Sequence, residues 1–140
     1  MKTLKVVAAI IEKEGKILIG QRLKGDLKGL WEFPGGKYEE NESGEEAIIR
    51  EIKEEFDADI EVKGYLFSIE HKYPDFYLMM DCFRCVLKDE NITLHDHLAI
   101  RWIDPFEKAD YAPADIKVIE KYRKLLQLLT DSFGDPSGTS

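Results

Sequence analysis

Near the N-terminus, Leu4-Lys5-Val6-Val7-Ala8-Ala9-Ile10-Ile11 is an almost unbroken apolar, β-branched run holding a single charge. Hydrophobicity this continuous, without alternation, marks a strand buried on both faces, and such a strand belongs to a sheet covered from both sides. Glu14-Gly15 reads as a turn, and Lys16-Ile17-Leu18-Ile19-Gly20-Gln21-Arg22 as the returning strand of a hairpin. Lys24 to Leu30 is a loop. Trp31-Glu32-Phe33-Pro34-Gly35-Gly36 is expected to turn sharply, because Pro cannot continue a ladder and Gly-Gly permits positive φ.

Ser43 and Glu46 form a capping box that opens a helix. Ile48, Ile52 and Phe56 then recur every four residues, with Ile49 beside them, as one core-facing stripe. Further strands are expected from Asp59 to Ile69 and Phe76 to Leu87, joined near Tyr73-Pro74-Asp75, and a shorter one over Ile100 to Ile103. Pro113 fits a first helical turn, and Ile116, Ile119, Leu125, Leu126 and Leu129 are expected to form the buried side of that closing helix. Strands with two long amphipathic helices imply an α/β sandwich with a mixed sheet. The expected organisation is one domain over residues 1–130 and a flexible polar tail over 131–140.

The 140 residues suit a single domain, and 44% hydrophobic content suffices for a core. Lys+Arg number 20 against 28 Asp+Glu, a net charge of -8, which argues against gripping a nucleic acid polymer through the surface field. No apolar run approaches the ~18 residues of a membrane span, and the N-terminus lacks a signal-peptide layout. Two cysteines cannot build a disulfide scaffold. These features lead to the expectation of a soluble, cytoplasmic protein with neither nucleic acid polymer nor membrane as partner.

On a helical wheel, Glu51, Glu54 and Glu55 share roughly a 100° arc offset from the apolar stripe. Like charges so placed repel by a few tenths of a kcal/mol per pair. A divalent cation would convert that repulsion into binding, and an all-oxygen ligand set favours Mg²⁺ or Mn²⁺ over zinc. Taken alone, these residues favour a solvated acidic face over a metal site.

Gly36-(five residues)-Glu42-(seven residues)-Arg50-Glu51-Ile52-Lys53-Glu54-Glu55 closely resembles the signature of the Nudix hydrolases, and Trp31 to Lys37 extends the match as in MutT-type members. One departure stands out: Asp57 occupies a position where the pattern usually has Gly. Asp tolerates left-handed backbone, so the helix stop is expected to survive. The resemblance covers roughly residues 4 to 129. It implies an α/β/α sandwich and hydrolysis of a nucleoside diphosphate linked to another group, by water attack on phosphorus with a divalent metal. A triphosphate carries about four negative charges, so an acidic protein needs Mg²⁺ to accept it beside a Glu-rich helix.

The resemblance also implies residue roles. Glu51, Glu54 and Glu55 become metal ligands, with the Gly35 carbonyl as a further one. Glu42 and Arg50 become an ion pair holding the ligand helix to the preceding loop, the alternative being a plain surface pair. Asp96 is a candidate general base, as are Glu51 and Glu54. Arg22 and Lys37 are phosphate contacts or solvated surface; Phe33 and Trp31 stack on a base or pack the core. Cys82-Phe83-Arg84-Cys85 spells C-x-x-C, but strand residues three apart point to opposite faces, so buried free thiols are expected. His95-Asp96-His97 lacks a third soft ligand and reads as a polar loop near substrate.

Ala112-Pro113-Ala114-Asp115-Ile116 falls where MutT-type enzymes place a base-reading residue. This stretch, Val6 to Glu12 and His95 to His97 are most similar to bacterial CTP pyrophosphohydrolases. An ionised Asp115 only accepts hydrogen bonds, which suits the amine of cytosine or the N–H groups of oxidised guanine, and suits uracil or thymine only when protonated. Otherwise Asp115 is a first-turn acid. The expected function is a Mg²⁺-dependent nucleoside triphosphate pyrophosphohydrolase releasing monophosphate and pyrophosphate. Its expected substrates are CTP/dCTP or 8-oxo-dGTP, in MutT-like nucleotide-pool sanitation, by a monomer or homodimer. Alternatives are a hydrolase of another linked diphosphate such as ADP-ribose, and a non-catalytic nucleotide-binding module.

Overall fold

The computed structural model describes residues 1–133. In chain order the elements are β1 (Lys2–Lys13), β2 (Lys16–Arg22), β3 (Trp31–Glu32), β4 (Gly35–Lys37), α1 (Gly44–Phe56), β5 (Ile60–Lys72), β6 (Phe76–Leu87), β7 (His97–Ile103) and α2 (Pro113–Phe133). The strand order β3-β2-β1-β6-β5 places β1 at the centre, with β4 pairing β1 and β7 pairing β2. β1 runs parallel to β6 from Lys2↔Phe76 to Ile11↔Cys85, whereas its pairings with β2 and β4 are antiparallel. The sheet is therefore mixed.

The continuous apolar run of β1 has a direct physical cause. Val6, Ala8 and Ile10 pack with Val118, Ile119 and Tyr122 of α2, and Val7, Ala9 and Ile11 pack with Ile48, Ile52 and Phe56 of α1. Side chains on both faces of a strand are apolar when a helix covers each face. The result is an α/β/α sandwich.

Local signals explain where the elements stop. Glu14 (φ 52) and Gly15 (φ 79) make the two-residue hairpin turn between β1 and β2. Ser43 accepts from the Glu46 N–H while Glu46 accepts from the Ser43 N–H, completing the capping box. Asp57 takes the left-handed conformation (φ 55) and its N–H donates to the Lys53 carbonyl at 2.9 Å, so the stop of α1 is intact without Gly.

Several expectations need correction. Gly35 and Gly36 do not adopt positive φ. They are required by close approach: a Cβ on Gly35 would lie 1.9 Å from the Val7 carbonyl oxygen, and one on Gly36 2.2 Å from the Glu51 carboxylate. Ile49 is 44% exposed, outside the α1 stripe. On α2, Ile116 and Leu129 face solvent and Leu125 and Leu126 are half-buried. The buried set is Ala114, Asp115, Val118, Ile119 and Tyr122, one helical face from which Ile116 points away. β7 starts at His97, three residues before the expected strand. Helix α2 continues through residues 131–133, and the rest of the expected tail, 134–140, lies outside the described residues. Among the described residues no helix is long and apolar enough to cross a membrane.

Candidate active site

A cleft of about 680 Å³ opens beside β1 and β4 and is lined by Arg22 of β2, Glu32, Phe33, Gly35 and Lys37 around β3 and β4, and Asp115 of α2. Residues from distant parts of the chain thus meet in one cavity. Helix α1 packs against β4, the glycine strand of this cleft. The Glu51 carboxylate lies directly over Gly36, and the Gly35 backbone acts to lower the neighbouring Glu55 carboxyl against the effect of burial. The double glycine is what lets a helical carboxylate touch the strand backbone.

Arg50 organises this end. Its Nε donates to Glu42 Oε2 at 2.6 Å and one Nη to Glu42 Oε1 at 2.9 Å, a bidentate pair. The same guanidinium reaches the Lys37 carbonyl at 2.9 Å, Glu51 at 3.3 Å and Glu54 at 3.2 Å. Glu42 also accepts from the Glu39 N–H. Hydrogen bonding from Arg50 holds Glu42 below the usual carboxylate range. The loop before α1 is thereby tied to the helix at several points by one side chain.

Glu55 is the electrostatic outlier. It is 8% exposed, and burial, then Glu32, Glu51 and Asp96, push its carboxyl up to about 9. Its Oε2 is buried with no hydrogen-bond partner. Burial also raises Glu51, with Glu54 and Asp96 adding to the effect. An orphaned carboxylate oxygen among other carboxylates is satisfied near neutral pH by a proton and, once ionised, by a hard cation, so the donor set fits a divalent metal. Among the described residues, no three His, Cys, Asp or Glu side chains are already gathered in metal-holding geometry. Arg50 instead occupies oxygens of Glu51 and Glu54, which would have to exchange that contact for a cation.

The other end of the cleft is apolar around one acid. Phe33 stacks on Tyr111 with centroids 5.8 Å apart, and Tyr73 stacks on Phe76 at 4.9 Å. Tyr73 and Phe76 line the cleft, and the Tyr73 hydroxyl accepts from the Ala114 N–H. Asp115, 5% exposed, accepts from the Phe33 N–H at 2.9 Å. Burial pushes its carboxyl up to about 8, only partly offset by that hydrogen bond. Burial thus works against the ionised acid that the sequence suggests and favours a protonated carboxyl, which can also donate.

Glu32, Tyr73 and Phe76 also line the cleft, although sequence reasoning did not single them out. Glu32 pairs with Arg22 at 2.7 Å and with His97 at 2.9 Å. Burial alone would raise Glu32, but these two partners outweigh it and hold the carboxyl below its usual value. A lone acid between Trp31 and Phe33 was the available signal, and the short strand β3 hid which face it occupied.

Other candidates lie elsewhere. Trp31 faces away from the cleft, under the Arg101 guanidinium at 5.5 Å. Asp96 is exposed but near enough to act on Glu51 and Glu55. Cys82 and Cys85 are free and buried in opposite core clusters, with burial raising both thiols, Cys85 to about 12. Changing either to Ala is expected to cost about 1–2 kcal/mol of stability and leave turnover near normal. Thermal melts and kcat check this; lost activity in a folded variant, or stoichiometric zinc in the purified protein, would contradict it.

Comparison with known proteins agrees with this geometry. A family model described as a NUDIX domain matches residues 6–121. The chain is 38% identical over 128 residues to the CTP pyrophosphohydrolase of Escherichia coli (strain K12), covering 89% of this chain and 95% of that one. It is 39% identical over 84 residues to the 8-oxo-dGTP diphosphatase of Proteus vulgaris, covering 59% of this chain and 75% of the relative. The solution structure of the E. coli ORF135 protein superposes with a TM-score of 0.78 at 37% identity, covering 90% and 92% of the two chains.

Proposed function

The chain belongs to the Nudix hydrolase family, whose members generally use a divalent metal, and from that premise we propose that it is a Mg²⁺-dependent nucleoside triphosphate pyrophosphohydrolase. The reaction converts a nucleoside triphosphate and water to the monophosphate and pyrophosphate, with CTP/dCTP or 8-oxo-dGTP as preferred substrates and the cytoplasmic nucleotide pool as the setting. The observation that carries this proposal is a single cleft lined by the cations Arg22 and Lys37, by the glycine strand against which Glu51 of α1 lies, and by apolar side chains around Asp115. That combination matches a molecule with a polyanionic tail and a planar base.

Glu51, Glu54 and Glu55, with the Gly35 carbonyl, would hold the cation, which supplies charge neutralisation and polarises the attacked phosphoryl group. Glu42 and Arg50 keep α1 and the glycine strand in one geometry. Arg22 and Lys37 supply fixed positive charge for phosphate oxygens. Asp96, or a carboxylate of α1, accepts the proton of the attacking water. Phe33 shapes the base pocket, and Asp115 reads the base edge.

Loss of the guanidinium fork at Arg50, with the charge kept, tests the positioning part. Arg50→Lys cannot reproduce a bidentate pair, so kcat is expected to fall about tenfold or more while binding of nucleotide at the base end changes little. A kcat within about twofold of the parent would make the pair a surface decoration. For the function as a whole, a panel of CTP, dCTP, 8-oxo-dGTP, UTP, dTTP and ADP-ribose with Mg²⁺, run above about pH 8 where Asp115 is ionised and scored for pyrophosphate and phosphate release, is expected to rank cytosine or oxidised guanine nucleotides first. ADP-ribose as the sole substrate would overturn it.

A further inference from the structure

We propose that His97 is a positioning residue that sets the Glu32 carboxylate, and through it the Arg22 guanidinium, at the junction of the phosphate and base halves of the cleft. This rests on the proposed nucleotide function, because it assigns His97 a part in fixing how that substrate is held.

Three observations converge on it. His97 Nε2 lies 2.9 Å from Glu32 Oε2, while Arg22 Nη1 takes Glu32 Oε1 at 2.7 Å, so one carboxylate is clamped from two sides. The imidazole side chain is 2% exposed and stacks on Phe56 at 5.2 Å with an interplanar angle of 7°. On its other side the ring fills the space above Gly20, where a Cβ would lie 2.6 Å from Cδ2. The ring therefore has one orientation, fixed by α1 below and by the absence of a side chain above.

That orientation also selects a tautomer. A carboxylate only accepts, so Nε2 carries the hydrogen. Nδ1 is buried without a partner and is then the bare nitrogen, which leaves no orphaned donor. Glu32 has reason to be held: its charge acts both on Glu55 of α1 and on Asp115 in the cleft wall. A carboxylate free to swing would change both, and would release Arg22 from the wall. The packing of His97 is thus tied to function through Glu32.

The test compares His97→Leu, which fills space without a donor, with His97→Gln, whose amide can donate near the Nε2 position. On the nucleotide that the parent hydrolyses fastest, His97→Leu is expected to raise KM about tenfold or more with kcat within about threefold, and His97→Gln to recover most of that KM. Gly20→Ala, which displaces the ring, should raise KM in the same direction. In a Glu32→Ala background His97→Leu should change KM no further. Equal KM effects of Leu and Gln, or an undiminished effect without Glu32, would overturn the proposal and leave a packing role that moves only the melting temperature. ¹⁵N spectra of the imidazole give an arm that needs neither turnover nor a folded variant: hydrogen on Nε2 in the parent is expected, and hydrogen on Nδ1 overturns it. A parent that hydrolyses no nucleotide would instead contradict the proposed function, with the ¹⁵N arm still deciding how His97 holds Glu32.

Discussion

Glu55→Gln is expected to lower turnover at least about a hundredfold, roughly 2.7 kcal/mol of transition-state stabilisation, and yet to raise the melting temperature of the metal-free protein. The two effects have one origin. Glu55 is buried with an unpartnered oxygen, among Glu32, Glu51 and Asp96. Ionising it there is costly, and a neutral amide of the same shape removes the cost. The same charge is what a divalent cation would need. Glu54→Gln should lose turnover similarly without the gain in stability, because Glu54 is exposed and its contact with Arg50 is an ordinary i,i+4 pair worth about 0.3–0.5 kcal/mol. Melts with and without Mg²⁺ separate the cases: Mg²⁺ should stabilise the parent far more than either variant. Turnover of Glu55→Gln equal to the parent at saturating Mg²⁺ would remove Glu55 from the metal site.

The second large effect concerns base choice and pH. Burial holds the Asp115 carboxyl at about 8, and one oxygen is already committed to the Phe33 N–H. Below that pH the remaining group is an O–H that can serve the ring nitrogen of cytosine or the keto oxygen of uracil alike. Above it the ionised oxygen accepts from an exocyclic amine and repels a keto oxygen, an asymmetry of about 1–3 kcal/mol in a desolvated contact. The ratio of kcat/KM for CTP to that for UTP is therefore expected to rise as pH increases through about 8. Asp115→Ala should lower kcat/KM for the preferred nucleotide and flatten that pH dependence. Loss of all substrates by one common factor would make Asp115 a helix cap and nothing more.

Stability should follow the same group in the opposite sense. The folded-state value lies above the ordinary 3.8, so the folded protein holds a proton that the unfolded chain has released between those values. Stability from this group is complete below about pH 4 and declines as pH rises toward about 8. Asp115→Asn is accordingly expected to melt higher than the parent at pH 8, by a margin of a few kcal/mol that vanishes in acid.

Legibility in the sequence followed the reach of each signal. The continuous run of β1, the capping box at Ser43 and the Asp57 stop are local, so residues within a few positions determined them, and the structure agrees. The Nudix signature identified the helix and its acids because its spacing mirrors one helix face. What was misjudged depended on contacts across the chain. The glycines at 35 and 36 looked like turn residues, but their need comes from Val7 and Glu51. The buried stripe of α2 was misread because Asp115 faces inward toward Phe33 and Ile116 outward. His97 read as loop because its strand pairing with Arg22 crosses a bulge, and its partner Glu32 lies 65 residues earlier.

The central claim is that this cleft, loaded with a divalent cation, releases pyrophosphate from a nucleoside triphosphate. Phosphorus NMR of CTP incubated with the protein and Mg²⁺ tests it most directly. Equal amounts of CMP and pyrophosphate should appear, no reaction should occur with excess chelator, and added Mg²⁺ should restore it. CDP with inorganic phosphate as products, or unchanged hydrolysis under chelation, would contradict the account.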